Sequence, residues 1–306
     1  MYDSIHNLNL YSTSNSGFDF YFLTYIIHFM NYDKKTYNPF VVSVIKKFAE
    51  NNNIQIKTYS DNWLIELQKN KVHRIVGFNF DLSSASSLAI TRDKFLTSEI
   101  LNDNGILAVN YKLLFAPDSV AANYPKNEFE LILENIFDNL DKDVVIKPNF
   151  GTGGADVFRV ADKYNFISRT KELFKKHSAL CFSRFLNIDF EYRITVLDGM
   201  ILNIYKKQKT DNILFNLSKG AKATTLNEDN EFVQKIKSIA KKTMRILDMR
   251  LANVDIVKTS DGELFVLEVN GGIAFEHYSR QNSSYKENAT KVYNKILQTI
   301  LEEKLT

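Results

Sequence analysis

A short apolar run that ends in a lysine and continues into a glycine-dense loop constrains the fold of this chain more than any other stretch. It reads DVVIKPNFGTGGADVFRV over residues 143–160. Residues 144–146 are β-branched and apolar, which is typical of a buried strand, and residues 157–160 predict a second strand. The intervening glycines can adopt positive φ and let backbone amides approach a phosphate. Because Lys147 precedes the glycines, unlike the lysine of a P-loop, the stretch predicts either a hairpin flap over phosphates or a plain hairpin with a glycine-rich turn.

Two carboxylates lie in apolar runs of a second predicted hairpin. Asp255 and Glu268 belong to strands that the turn Asp261-Gly262 joins, and carboxylates on adjacent antiparallel strands can face each other. Without partners, two buried carboxylates would repel each other and lose their hydration. A divalent cation removes both costs, and Asn270 supplies a further hard oxygen ligand, so the pattern predicts a Mg²⁺ or Mn²⁺ site. The alternative is an ion pair between either carboxylate and one of the many Lys and Arg side chains.

Charged residues also occur at the start of a predicted helix and along one face of a predicted strand. Thr91 is the expected N-cap of a helix that runs to about Asn104. A lysine in the first turn, Lys94, opposes the helix dipole, which suggests an anionic partner such as a phosphate. Glu191 and Arg193 share one face of a predicted strand because side chains alternate with a period of two.

Residues 38–109 alternate between patterns typical of helices and patterns typical of strands. Apolar spacing predicts a helix at 38–50, a strand at 54–58, a helix beginning at 63–67, and strands at 72–78 and 106–109. This alternation favours a small α/β domain with a partly parallel sheet.

Composition narrows the function classes. The 306 residues carry a formal charge of only +3, which gives no support for a nucleic-acid or membrane partner. The single cysteine, Cys181, excludes an intramolecular disulfide and a cysteine-cluster zinc site, and we expect it to be buried and inert. The aromatic run Phe18–Met30 is too short to span a bilayer, so we expect a buried element or a contact between copies in a homo-oligomer. A cytoplasmic protein is the simplest expectation.

Taken in chain order, these motifs resemble those of the ATP-grasp enzymes. The resemblance is to the glutathione-synthetase-like branch, which includes ribosomal-protein glutamate ligases and cyanophycin-synthetase-type ligases, and it extends from about Arg92 to Asn270. The matching motifs are Arg92-Asp93-Lys94, Lys147-Pro148 with Gly151–Gly154, Glu191-Tyr192-Arg193, Asn216–Gly220, Val254-Asp255-Ile256 and Glu268-Val269-Asn270.

The resemblance implies an α/β protein with the ATP-grasp fold, in which two α+β lobes enclose ATP. It divides the chain into three expected parts. Residues 1–88 would form an N-terminal α/β (pre-ATP-grasp) domain. Residues 89–186 would form a lobe with the glycine-rich flap, and residues 187–306 a lobe with the Mg²⁺ site.

The resemblance also implies roles for individual residues. Those expected to bind ATP are Lys94, Lys147, Gly151, Thr152, Gly153, Gly154, Ser183, Arg184, Phe185, Leu186, Asp189 and Glu191. Asp255, Glu268 and Asn270 would hold Mg²⁺. The transferring phosphoryl group would be stabilised by Arg193, Lys206 or Lys207, and Asn216.

The implied activity is that of an ADP-forming carboxylate–amine ligase that forms an amide through an acyl phosphate. Its substrates would be a small carboxylate and an amine, such as an amino acid or a peptide. A phosphotransferase and a non-catalytic nucleotide-binding module remain alternatives. The sequence departs from the family's motifs at two places. Ser183-Arg184 stands where many relatives carry an acidic residue, and Gly271–Tyr278 stands where many ligases have a Pro-Gly loop. Nucleotide preference and substrate identity therefore stay open, and Glu276 and His277 are either substrate contacts or surface residues.

Overall fold

The computed structural model describes residues 39–151, 153–209, 215–226 and 230–302. Two features singled out in the sequence, Phe18–Met30 and Thr152, lie outside these ranges. Within them, the chain forms three antiparallel sheets flanked by helices.

The first sheet is an antiparallel meander of three strands. These strands are β1 (Gln55–Tyr59), β2 (Leu64–Gln68) and β3 (Val72–Val76). The helix predicted from Trp63 is wrong, because Ile65 and Leu67 alternate with more exposed neighbours and bury one face of a strand. The predicted partly parallel sheet is also wrong. Residues 60–62 have φ of 49°, 54° and 71° and reverse the chain tightly, whereas a parallel pair needs a long crossover.

Two consecutive helices follow this sheet, and their boundary differs from the prediction. They are α2 (Ala85–Arg92) and α3 (Lys94–Asp103). Thr91 lies inside α2 and is not an N-cap. Asp93 caps α3 instead, since its carboxylate accepts a hydrogen bond from the Leu96 amide at 2.8 Å. The strand predicted at 106–109 is reduced to a single bridge alongside Val266.

A four-stranded sheet contains the glycine-rich hairpin. Its strands are, in spatial order, β4 (Lys112–Phe115), β7 (Ala179–Arg184), β5 (Val144–Pro148) and β6 (Phe158–Val160). The predicted hairpin is confirmed, because β5 pairs antiparallel with β6. Helices α4 (Phe129–Asn139) and α5 (Lys163–Phe174) share one core with this sheet, in which Phe166 lies between Phe137 and Phe182.

A five-stranded sheet carries the paired carboxylates. Its spatial order is β10 (Ala223–Thr225), β9 (Met200–Lys207), β8 (Ile188–Leu197), β11 (Leu251–Thr259) and β12 (Leu264–Asn270). Helix α6 (Glu231–Ile246) covers one face, where its apolar side meets Ile194, Val254 and Ile256. The opposite face carries polar side chains near the middle of the sheet.

Helices from both ends of the described chain share one core with the first sheet. They are α1 (Phe40–Asn51), the short α7 (Glu276–Ser279) and α8 (Ser283–Glu302). The ring of Phe40 lies 6.0 Å from that of Tyr293, and Ile65 and Leu67 of β2 belong to the same cluster. The three-part division of the chain at residues 88 and 186 stays a prediction.

Candidate active site

A fully buried carboxylate is the centre of the polar face of the five-stranded sheet. Asp255 has no exposed surface, and it accepts two hydrogen bonds from the Arg193 guanidinium at 2.7 and 2.6 Å. The Lys207 ammonium lies 3.4 Å from the same carboxylate and also donates to Glu191. Two cations and two anions therefore meet on neighbouring strands, where paired charges offset the loss of hydration.

The balance of burial and charge sets the pKa values in this cluster. Burial alone would raise the pKa of Asp255, but the cations of Arg193 and Lys207 outweigh it and lower the pKa to about 2. For Glu191, burial prevails over the attraction of Lys207 and raises the pKa. Asp255 is thus an anion at neutral pH, as both an ion pair and a metal ligand require.

Glu268 and Asn270 on β12 complete the expected metal-ligand set. The register pairs Asp255 with Glu268 across the ladder, as predicted. The Asn270 Nδ2 donates to the Asp255 carboxylate at 3.3 Å and to the Glu268 carboxylate at 3.0 Å, so three side chains that carry oxygen atoms converge. Among the described residues, no site gathers three His, Cys, Asp or Glu side chains. Two carboxylates and an amide fit Mg²⁺, which keeps part of its shell for water and phosphate oxygens.

Two lysines approach this face, one from the four-stranded sheet and one from α3. We call the space between these elements and the five-stranded sheet the cleft. Lys147, at the end of β5, is 8% exposed and donates to the Tyr111 hydroxyl, with its ammonium 4.3 Å from the ring centroid. Lys94, the first residue of α3, donates to the Gly151 carbonyl at 2.8 Å. Burial lowers the pKa of both lysines, and the charge of Glu268 acts against that shift. The two cations therefore lie within electrostatic reach of the expected metal ligand.

Two side chains from the connection between β9 and β10 contact the glycine-rich loop. Gly153 and Gly154 have φ of 68° and 63°, conformations that glycine adopts without strain. The Asn216 amide donates to the Gly153 carbonyl, and the Lys219 ammonium donates to the Gly154 carbonyl at 3.2 Å. Asn216 therefore contacts the loop, and its expected role at the transferring phosphoryl group stays a prediction; Lys219 is an additional cation there.

The expected adenine segment, Ser183–Leu186, leaves the end of β7. The Phe185 amide donates to the Asp143 carbonyl at 2.8 Å, which continues the sheet pairing. Arg184 forms an exposed ion pair with Asp141, and the alternation of side chains along β7 places it on the face opposite Ser183 and Cys181. Leu186 joins a small apolar cluster between the two sheets, together with Tyr111, Val109, Phe95, Leu113, Phe265, Leu267 and the buried Cys181. An apolar surface of this kind suits a nucleotide base.

Some predicted residues are not brought to the cleft. Lys206 pairs with Tyr192 and lies 4.4 Å over the Phe190 ring, on the face of the sheet that α6 covers. Asp189 shares the face of Glu191 but is exposed near the strand start. His277 is exposed on α7.

Glu276 has a structural contact instead of an open surface. Its buried carboxylate accepts a hydrogen bond from the Val41 amide at 3.3 Å, at the start of α1. Burial raises the pKa of this carboxyl group.

Sequence reasoning did not identify three residues that contact the predicted site. Tyr111 binds Lys147, Asn149 binds Lys94, and Lys219 binds the glycine-rich loop. Asn149 had a usable signal, because it lies between Lys147 and the glycines. Tyr111 had none, since it lies 36 residues from its partner.

Comparison with known proteins finds a relative by sequence and similar solved structures. The chain is 27% identical over 166 residues to the tetrahydromethanopterin:alpha-L-glutamate ligase of Methanocaldococcus jannaschii, which covers 52% of this chain and 55% of that protein. This chain thus spans about half the length of that curated relative. The D-alanine–D-alanine ligase of Bacillus anthracis complexed with ATP superposes with a TM-score of 0.54 at 22% identity, covering 72% of this chain and 68% of that one.

A second solved structure has the same fold. The ATP-grasp ligase PsnB complexed with minimal precursor, Mg and ADP superposes with a TM-score of 0.52 at 15% identity, covering 72% of this chain and 62% of that one. None of the described helices is both long and apolar enough to cross a membrane. Residues 91–298 match the RimK-like ATP-grasp domain, which is well over half of the chain. The resemblance seen in the sequence is therefore confirmed, and the chain belongs to the RimK-like ATP-grasp family.

Proposed function

We propose that this protein is an ADP-forming carboxylate–amine ligase. The observation that carries the proposal is that Lys94 and Lys147 both lie near β12: Lys147 donates to the Tyr111 hydroxyl, which lies 3.4 Å from the Leu267 carbonyl next to Glu268. Lys94 and Glu268 line one small cavity between α3 and β12, and the charge of Glu268 acts on both lysines. Two cations opposite a Mg²⁺-type ligand set are what the phosphates of a bound nucleotide require.

In this proposal, ATP lies between the four-stranded and the five-stranded sheets. Lys94 and Lys147 bind the α- and β-phosphates, and the amides of Gly151, Gly153 and Gly154 approach the phosphate chain. The backbone of residues 183–186 and the apolar cluster around Leu186 contact adenine, and Glu191 lies toward the ribose. Thr152, which lies outside the described residues, stays an expected contact of the nucleotide.

Asp255, Glu268 and Asn270 are the residues that would hold Mg²⁺. When bound, the ion supplies charge neutralisation between the phosphate oxygens. Arg193 and Lys207 keep Asp255 ionised and oriented, and Arg193, with one-fifth of its side chain exposed, also faces the site of phosphoryl transfer. Asn216, beside the glycine-rich loop, is the other group we assign to the transferring phosphoryl.

The chemistry would proceed in two steps. A substrate carboxylate oxygen attacks the γ-phosphorus, an O–P bond forms, and ADP leaves. An amine then attacks the acyl carbon, the C–N bond forms, phosphate leaves, and the amine proton passes to solvent. The protein's part is to orient the reactants and neutralise charge. The curated relative is named as a glutamate ligase, so glutamate is the first amine to test; we propose an amino acid or a peptide as substrate.

The test is phosphate release from ATP and Mg²⁺ in the presence of pooled amino acids and dipeptides. We expect ADP, not AMP, and a rate that needs both a carboxylate and an amine. Lys147→Ala should abolish release, whereas Lys206→Ala, on the opposite face of the sheet, should leave it within about twofold. Release that needs a carboxylate but no amine would indicate a phosphotransferase. Failure of the wild type to bind ATP would refute the proposal.

A further inference from the structure

Asn149 is a fully buried residue that follows β5 and leads into the glycine-rich loop. It lies two residues after Lys147 and has no exposed surface. Its amide donates to the Ala179 carbonyl at 3.1 Å, which extends the pairing of β5 with β7 by one residue. The backbone of Asn149 is therefore fixed to the same rigid sheet that positions Lys147.

The other polar atoms of Asn149 hold the start of α3. The side-chain Oδ1 accepts a hydrogen bond from the Phe95 amide at 3.0 Å, and the backbone carbonyl accepts one from the Lys94 ammonium at 3.3 Å. The Phe95 amide is one of the first-turn groups that have no partner within a helix. Asp93 accepts from the Leu96 amide and leaves the Phe95 amide without a partner in α3. Asn149, at the end of β5, supplies the missing capping oxygen.

The orientation of the Asn149 amide follows from its neighbours. The Cys181 thiol lies 3.0 Å from the same Oδ1, so two donors face the oxygen and a flipped amide would oppose both. The Nδ2 atom is then buried without a hydrogen-bond partner among the described residues, which is unfavourable for stability. The gain that this side chain brings is the connection between β5 and α3.

The connection between β5 and α3 opposes the repulsion between Lys94 and Lys147. Lys94 and Lys147 lie on separate elements, and the charge of Lys147 lowers the pKa of Lys94, as expected of like charges that are close together. Two such cations tend to move apart, and their spacing must match the phosphate chain they are proposed to bind. Asn149 contacts Lys94 directly and is two residues from Lys147, so its contacts fix one lysine relative to the other.

We infer that Asn149 is a positioning residue that sets the spacing of Lys94 and Lys147 and thereby the affinity for nucleotide phosphates. The inference rests on the proposed function. It assigns to Asn149 no contact with the nucleotide and no part in the transfer of the γ-phosphoryl group.

The experiment compares Asn149→Ala and Asn149→Ser with the full-length wild type. The Kd values of Mg·ATP and Mg·ADP are measured by calorimetry, and kcat and KM for ATP by phosphate release. We expect both Kd values and KM to rise about tenfold, which corresponds to about 1.4 kcal/mol. We expect kcat to stay within about threefold, because Arg193 and the ligands on the five-stranded sheet are unchanged.

The serine variant, one further variant and a stability measurement separate positioning from folding. Asn149→Ser keeps a small polar side chain that is too short to reach the Phe95 amide, and it covers the case in which alanine does not fold. Thr170→Ala removes a methyl group and a hydroxyl from a fully buried side chain of α5, a helix that packs on the same four-stranded sheet, and so leaves a cavity there. It should lower Tm like Asn149→Ala and leave the Kd of Mg·ADP within about twofold.

The outcomes are distinct. If both Asn149 variants lose stability but bind Mg·ADP like the wild type, Asn149 is only structural and the inference is wrong. A kcat that falls as much as kcat/KM, with Kd unchanged, also overturns it. If the wild type binds neither ATP nor ADP, the proposed function itself fails, a result that is read from the wild type alone.

Discussion

The buried ion pair between Arg193 and Asp255 gives the sharpest test of how this site is built. Arg193→Met keeps most of the side-chain volume but removes both hydrogen bonds to a carboxylate that has no exposed surface. Breaking a buried pair by removing one partner costs about 3–5 kcal/mol, because the remaining charge is left without compensation. Lys207 at 3.4 Å and the Asn270 amide at 3.3 Å remain, so we expect the lower end, about 3 kcal/mol at pH 7.

The loss should depend on pH in a defined direction. In the wild type the folded-state pKa of Asp255 is about 2, below its ordinary value of 3.8. Its ionised form therefore stabilises the fold above pH 3.8, and that contribution is lost as the pH falls towards 2. In Arg193→Met, burial dominates and the pKa of Asp255 should rise above 3.8. The difference in unfolding free energy between the two proteins should then narrow as the pH is lowered through the raised pKa of Asp255 in the variant.

Urea denaturation followed by far-UV circular dichroism measures these free energies. The matched control is Arg250→Met, which breaks the bidentate ion pair with Asp198 at the end of the same sheet. Because the two side chains are 40% and 34% exposed, the change should cost at most about 1 kcal/mol. The double variant Arg193→Met/Asp255→Asn should recover at least half of the loss. A loss below about 1 kcal/mol for Arg193→Met, or a double variant no more stable than the single one, would refute the reasoning.

Three other predictions concern the lysine, the metal ligand and the first sheet. Lys147→Ala should weaken Mg·ADP binding by tenfold or more in calorimetry, since a hydrogen bond to a charged group contributes about 1.5–3 kcal/mol; unchanged binding would contradict its role. Glu268→Gln should raise the Mg²⁺ concentration for half-maximal phosphate release about tenfold, whereas an unchanged Mg²⁺ titration would exclude Glu268 as a ligand. Gly77→Ala should lower Tm, followed by Trp63 fluorescence, because φ is 58° and an added Cβ would lie 2.8 Å from the Trp63 ring; an unchanged Tm would contradict that contact.

Features with local signals were predictable from the sequence. The β5–β6 hairpin and the facing of Asp255 and Glu268 follow from a period-two apolar pattern and from turn residues a few positions apart. The helix expected from Trp63 was wrong because a five-residue apolar run fits either a strand or a helix, and only packing against the core decides. The Asp93 cap was missed because Thr91 offers an equally good capping oxygen two residues earlier.

Choosing between neighbouring residues required the register of the sheet. Lys206 and Lys207 are adjacent, so only one of them can face the cleft. The pairing of β8 with β9 shifts between Thr195 and Val196, and such an irregularity is invisible in the sequence. Contacts such as that of Asn149 with Lys94 join residues 55 positions apart, and no local pattern predicts them.

The core that α1 shares with α8 also fixes the order in which the chain can fold during its synthesis. Val41 and Glu276, hydrogen-bonded in that core, are separated by 235 residues. At about 5–20 residues per second, the ribosome needs about 12–47 s to make the second after the first. The four-stranded sheet lies between Lys112 and Arg184 and is complete well before. The core that the first sheet shares with α1 therefore stays incomplete until α8 is made, and a chain that stops before α8 exposes part of that core to chaperones and proteases.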